Sequence, residues 1–242
     1  MRELKREIFD YKKLNFHVLP GKLGPFADRN TVSIYNSVFN FWQSYWGQLF
    51  NQLDSSAVNV EEFFRQDKIL AITDPSADNA VVAYLCLNQF NLATAIAGHP
   101  YLSQYSAEFR DELKSRGIYS VWSGQYITVS EAYGARATRL NFAGTILSLM
   151  HRAYSEFSGP STSLISLARK DNASANVAKK FGWATQGEPI EMHGVPVEQI
   201  MLAGTPPAPA DEKIAELVEY FWKRRTEHEQ GYYVETSQKI AA

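Results

Sequence analysis

The chain has 242 residues, and its 24 Lys and Arg nearly cancel its 26 Asp and Glu, so no global basic field points to nucleic acid or an anionic membrane. Hydrophobic residues make up 45% and charged residues 21%, which excludes a mostly disordered chain and suffices for a core without disulfides. The lone cysteine, Cys86, excludes an internal disulfide and any multi-cysteine metal site.

Residues 1–12 are charged and read as helical or frayed, and 14–19 as a strand. A Pro/Gly loop over 20–29 leads to a helix capped by Asn30 or Thr31 and running to about residue 53. Its apolar residues recur at helical spacing, and it carries two Trp, two Tyr and three Phe. Such a stripe builds a core, a subunit interface or a lining for an acyl chain. A shorter helix is expected over 60–65. The runs 68–73 and 80–87, separated by Asp74-Pro-Ser-Ala-Asp-Asn79, read as a hairpin. Cys86 lies in the second run and reads as a buried, inert thiol. Residues 92–100 read as a loop and 101–116 as a helix closed by Gly117. A strand over 118–129, a loop over 130–138, a helix over 139–157 and a strand over 162–168 follow. This βαβ unit requires the two strands to be parallel. A helix over 172–181, capped by Asp171 or Asn172, precedes a hairpin of 184–192 and 195–202 turning at His193 and Gly194. Pro206-Pro-Ala-Pro209 is a stiff linker, 211–229 a last amphipathic helix, and the tail beyond Gly231 is expected to be loose.

The βα junction after Val129 carries the clearest chemical signal. A helix N-terminus offers unpaired N–H groups to anions. Gly134, Ala135 and Ala137 permit close approach of backbone, and Arg136 and Arg139 suit phosphate. The same residues also describe an ordinary capped turn with two solvated arginines. No GxGxxG or Walker loop is present. His17, His99, His151, His193 and His228 have no metal-ligand spacing, so no metal is expected. The segment Met-Arg-Glu-Leu-Lys-Arg-Glu has no apolar stretch behind its charges, and no run approaches a membrane span, so a cytoplasmic location is expected.

Asp171-Asn-Ala-Ser-Ala-Asn-Val-Ala-Lys-Lys-Phe-Gly-Trp183, following a strand that ends Leu167-Ala-Arg, resembles a segment of the GCN5-related N-acetyltransferase (GNAT) superfamily. Ser174, Val177, Lys180 and Gly182 match the family pattern, and Trp183 replaces its Phe. The order of elements agrees over about 68–204. The resemblance implies an α/β fold with a mixed, twisted sheet and helices on both faces. The N-terminal aromatic helix and the C-terminal helix are additions to it. Residues 1–205 would form the acyltransferase domain and 206–242 the linker, helix and tail.

The resemblance also implies transfer of an acyl group from acyl-CoA or an acyl carrier protein to an amine, by direct attack in a ternary complex. No tightly bound cofactor is implied. The pantetheine arm would pair with Ile127, Thr128 and Val129. The diphosphate would meet Gly134, Ala135, Arg136, Ala137, Thr138 and Arg139, with Asn172 and Ser174 completing that edge. The family's glycine pattern is altered there, with Ala137 and Arg139 at its small positions. A later register from Arg139 to Gly144 keeps the Arg and the last Gly but places Phe142 at the first. Glu131 is the candidate general base and His193 the candidate acceptor contact. The altered loop is similar to that of the acyl-homoserine-lactone synthases and long-chain N-acyl amino acid synthases. That likeness implies an amine or amino-acid acceptor and a carrier protein as donor, while the aromatic helix and the terminal helix, either of which could meet a second subunit, make a homodimer a further expectation. The alternatives are a GNAT-fold interaction module without catalysis and an unrelated α/β protein.

Overall fold

The computed structural model describes residues 9–53, 59–94, 99–159 and 161–232. The expectations for residues 1–8 and for the tail from 233 lie outside these. Residues Tyr11–Lys13 form one 3-10 turn. The chain then runs through β1 (Asn15–Pro20), α1 (Arg29–Gln52), α2 (Glu61–Phe64), β2 (Lys68–Asp74), β3 (Ala80–Asn91), α3 (Ala107–Ser115) and β4 (Ser120–Val129). It continues through α4 (Ala135–Thr138), α5 (Phe142–Phe157), β5 (Thr162–Arg169), α6 (Ser174–Lys180), β6 (Ala184–Thr185), β7 (Ile190–Met192), β8 (Val195–Ala203), α7 (Glu212–Lys223) and β9 (Thr226–Glu227).

All the strands join one mixed sheet in the order β6-β8-β5-β4-β3-β2-β1-β9, with β7 also on β8. The expected hairpin of β2 and β3 is antiparallel, and β4 and β5 are parallel as the βαβ unit required. The central strands are continuous apolar runs because both faces are covered. Leu70 and Ile72 face the layer that holds α5, α6 and α7, whereas Ile69 and Ala71 face α1. Val121, Ile165 and Met201 face α3 on the α1 side. The expectation of helices on both faces is met.

Local hydrogen bonding moves several boundaries. Asp28, rather than Asn30 or Thr31, caps α1, accepting from the Thr31 amide at 2.9 Å. The helix expected over 101–116 is broken, because the Ser106 hydroxyl accepts from the Phe109 amide at 3.1 Å and starts α3 afresh. The loop expected over 130–138 contains the single turn α4, which ends at Arg139 in the left-handed region at φ 62°. That conformation cannot continue a helix. The long helix therefore starts at Phe142 instead of 139, capped by Asn141, whose carboxamide accepts from the Gly144 amide at 2.9 Å. Gly187, at φ 64°, divides the expected strand 184–192 into β6 and β7. The helix expected over 211–229 ends at Lys223, and the chain returns as β9 alongside β1.

The C-terminal helix is packed tightly onto the sheet. Ile214, Leu217, Val218, Phe221 and Trp222 are buried in the same cluster as Phe142, Ile146 and Met150 of α5. Gly144 permits this approach: a Cβ there would lie 2.7 Å from Ile214 Cδ1 and 2.8 Å from Phe181 Cζ.

Candidate active site

The site begins where β4 and β5 part. Their parallel pairing runs from Ser120–Thr162 to Ser123–Ile165 and goes no further. Past that point β4 contains a bulge against β3, where the register shifts between Tyr84 and Cys86. Tyr126 sits there with φ 56°, a conformation rare for a bulky residue. The extra residue changes the phase of the strand. Ile127 and Val129 point to the α5 face, while Tyr126 and Thr128 point to α1. The backbone of β4 beyond Ser123 thus has an edge that β5 leaves open.

Two cavities flank this opening. The larger, about 410 Å³, is lined by Ile127, Thr128 and Val129 of β4, Ala143 and Leu147 of α5, and Asn172, Ala173, Ser174 and Val177 around α6. The smaller, about 260 Å³, lies toward Phe50, Asn59, Glu62, Tyr101, Gln125, Met192 and His193. Trp46, Leu49, Tyr126, Leu167 and Arg169 line both, so they form the partition between them.

The partition is held by specific bonds. The Trp46 indole N–H donates to the Tyr84 hydroxyl at 2.8 Å and lies 3.2 Å from Thr128 Oγ1. Thr128 Oγ1 donates to the Tyr126 carbonyl at 2.9 Å, which ties the bulge together. The Tyr126 ring meets those of Trp46 and Trp42 edge-on, at 5.0 and 5.7 Å. Burial pushes the Tyr84 phenol well up, and burial and the Glu62 charge do the same to Tyr126. Both therefore remain protonated at neutral pH and cannot serve as bases. Arg169 is held by a two-point bond to Asp171, at 2.9 and 2.6 Å. That pairing holds the Asp171 carboxyl below its usual range.

Of the residues singled out from the sequence, Ile127, Thr128, Val129, Asn172 and Ser174 come together on the larger cavity. His193 lines the smaller one, its ring 4.7 Å from that of Phe50. Gly134, Ala135, Arg136, Ala137, Thr138 and Arg139 line neither cavity. The Thr138 hydroxyl is turned inward to the carbonyls of Tyr133 and Gly134, closing α4. Arg136 and Arg139 are exposed, as is Glu131. Asn172 accepts from the Ser174 amide at 2.8 Å, so its carbonyl oxygen serves the start of α6. Trp46, Tyr126, Arg169 and Glu62 were not singled out as site residues. Only the aromatic helix gave a hint, through Trp46. Nothing in the sequence marks Tyr126 as a bulge residue.

The open edge of β4, the bulge beside it and the following helix define the class: the chain has the fold of the GNAT acyltransferases. Among solved structures, a CoA-dependent acyl-homoserine lactone synthase, BjaI, described with SAM and isopentyl-CoA, superposes with a TM-score of 0.54 at 8% identity, over 91% of this chain and 95% of that one. The mosquito arylalkylamine N-acetyltransferase like 5b gives 0.53 at 9% identity, over 78% and 99%. FeeM, an N-acyl amino acid synthase from uncultured soil microbes, gives 0.50 at 8% identity, over 78% and 90%. No protein-family model and no curated protein matches the sequence. Among the described residues, no helix is long and apolar enough to cross a membrane, and no group of His, Cys, Asp and Glu is placed to hold a metal ion.

Proposed function

We propose that the protein is an N-acyltransferase that passes an acyl group from a thioester to an amine held beside it. The observation that carries this reading is the pair of cavities meeting at Trp46, Tyr126, Leu167 and Arg169. A thioester lying along Ile127, Thr128 and Val129 brings its carbonyl to that partition, and an amine in the smaller cavity approaches from the other side. The amine nitrogen attacks the thioester carbonyl, the C–S bond breaks, the nitrogen loses a proton and the thiolate gains one. No protein nucleophile is needed. Cys86, the one thiol, is buried, and burial pushes its pKa far up.

The donor is acyl-CoA or an acyl carrier protein, whose shared phosphopantetheine arm fits the open edge of β4. The phosphate end would lie beside Val129, Ala143, Asn172 and Ser174, which line the larger cavity. Gly134 to Arg139 joins Val129 to α5, so Arg136 and Arg139 would meet phosphate only outside the cavity. The acceptor is a small amine or amino acid in contact with His193. Glu62 replaces Glu131 as the nearest carboxylate to the acceptor, because it lines the smaller cavity and Glu131 does not. The chain would work in the cytoplasm as a homodimer.

A thermal-shift titration with CoA, acetyl-CoA and a long-chain acyl-CoA tests the reading, since binding to the folded state alone raises the melting temperature. A rise with all three supports a CoA donor, and a larger rise with the long chain supports an acyl tunnel. If none raises it, binding of an acylated carrier protein is measured next. No binding there favours the non-catalytic module.

A further inference from the structure

Away from the residues that line the two cavities, a buried histidine meets a half-buried one. His17 on β1 is 3% exposed, and its Nδ1 lies 3.0 Å from Nε2 of His228, just past β9. His17 Nε2 lies 3.1 Å from Thr73 Oγ1 on β2, and His228 Nδ1 lies 2.6 Å from Thr31 Oγ1 at the start of α1. The Thr31 hydroxyl donates to the Asp28 carboxylate. That last bond fixes the direction of the others. Thr31 must accept from His228 Nδ1–H, which leaves His228 Nε2 to accept from His17 Nδ1–H. His17 Nε2 then accepts from Thr73. Every polar atom in this chain of bonds has a role while both rings are neutral.

Main-chain bonds hold the segment 226–231 around His228. Thr226 and Glu227 pair in parallel with His17 and Val18, and the His228 amide donates to the Val18 carbonyl at 2.9 Å. The Gln230 and Gly231 carbonyls accept from Gly24 and Phe26, at 2.5 and 3.0 Å. Gly231, at φ 72°, would place a Cβ 2.3 Å from the Ala27 nitrogen, so the contact is close. The segment is thus a strap across β1 and the approach to α1.

We propose that the His17–His228 pair is a proton-sensitive latch, and that acidification releases the strap 226–231 from β1 and the start of α1. Two protons on the pair would set His17 Nδ1–H against His228 Nε2–H across 3.0 Å, with neither atom able to accept. One proton is accommodated on His17 Nε2 if the Thr73 hydroxyl turns to accept, but it places a charge in a buried site. His228 shares a pocket of about 200 Å³ with Asp67, Lys68 and Glu227. Asp28 acts through Thr31 and favours a proton on His228. On β2, Lys68 lies over the Phe157 ring, and Asp74 faces Lys13 and Tyr133, both on the opposite side of the sheet. Glu227 accepts from Arg225 at 2.7 Å, and Arg29 and Glu229 are exposed. The latch grips the first turn of the helix whose far end carries Trp46 and Leu49. It does not depend on the acyl-transfer reading.

Burial, and then the His228 ring, push His17 down to about 4 from the ordinary 6.5. An opening equilibrium that gains tenfold per pH unit between these values rises about 30-fold from pH 8 to pH 5. The test is native-state amide exchange on the whole protein, corrected for intrinsic rate. Protection of the residue-228 amide should lie below that of β5, be insensitive to low urea as local opening is, and fall about 30-fold over that range, and His17→Asn should reduce the fall to about threefold or less. Constant protection in the native protein, residue-228 exchange that shares the protection and urea dependence of β5, or an undiminished fall in His17→Asn overturns the latch. If His17→Asn does not fold, the ¹⁵N shifts of the two imidazoles in the native protein decide. A titration that coincides with loss of protection supports the latch, and rings that titrate under an intact strap overturn it.

Discussion

Trp46 does two jobs whose consequences separate. Its N–H satisfies the fully buried Tyr84 hydroxyl, and its ring divides the two cavities. Trp46→Phe keeps the wall and removes the donor, so it should lower stability by about 1 kcal/mol and leave the preferred acyl length alone. Trp46→Ala removes the wall as well. The acyl-CoA giving the largest thermal shift should then become longer than for the native protein. An unchanged ranking across a chain-length series would show that Trp46 is no partition. At the same scale, the sequence made Cys86 and Val129 legible but not Tyr126. A left-handed tyrosine is set by the mismatch between β3 and β4, and no local residue preference favours it.

Elements begin and end where side chains take over backbone hydrogen bonds. Asn141 is the clearest case, because it resets the start of α5 by three residues relative to the periodic pattern. Asn141→Ala should destabilise the protein by about 1 kcal/mol in urea titrations. It should also weaken donor binding if the first turn of α5 borders the thioester. A second element boundary depends on close approach. Gly21 ends β1 against the turn at Gln66, and a Cβ there would sit 1.5 Å from the Gln66 carbonyl oxygen. That contact is backbone and cannot swing aside, so Gly21→Ala should cost about 3 kcal/mol or prevent folding. The apolar periodicity revealed nearly every element here, since burial on a sheet or under a helix dictates it. It placed the caps poorly because several residues near each end could serve.

For the whole molecule, α7 tests where the domain stops. Phe221 is 1% exposed against Tyr11 and Phe16. Phe221→Ala should therefore lower stability by about 3–5 kcal/mol, as for a central core residue. A loss under about 1 kcal/mol would mark the C-terminal helix as dispensable. Acid provides a second global test. His151 accepts from the Trp183 indole at 2.9 Å and is buried, which pushes it down to about 4, like His17. The unfolded chain takes up protons near pH 6.5 that the folded one refuses. Stability should be flat above about pH 7 and fall steadily from 6.5 to 4, by on the order of 3 kcal/mol for each of the two histidines. A urea midpoint constant from pH 8 to 4.5 would contradict both assignments.

From its apolar runs and turn residues alone, the sequence determined a mixed α/β order with a hairpin before a parallel βαβ unit, and the motif at Asp171 to Trp183 added the resemblance to the acyltransferase pattern. These features follow from periodicity and from contacts within a few residues. Tertiary structure alone decided which face of β4 Tyr126 joins and that Trp46 divides the space. It also decided that Glu62 lies in a cavity while Glu131 and Gly134 to Arg139 lie outside. Each of these depends on residues far apart in the chain meeting across the sheet. So does the meeting of His17 with His228, 211 positions apart, which no local pattern encodes.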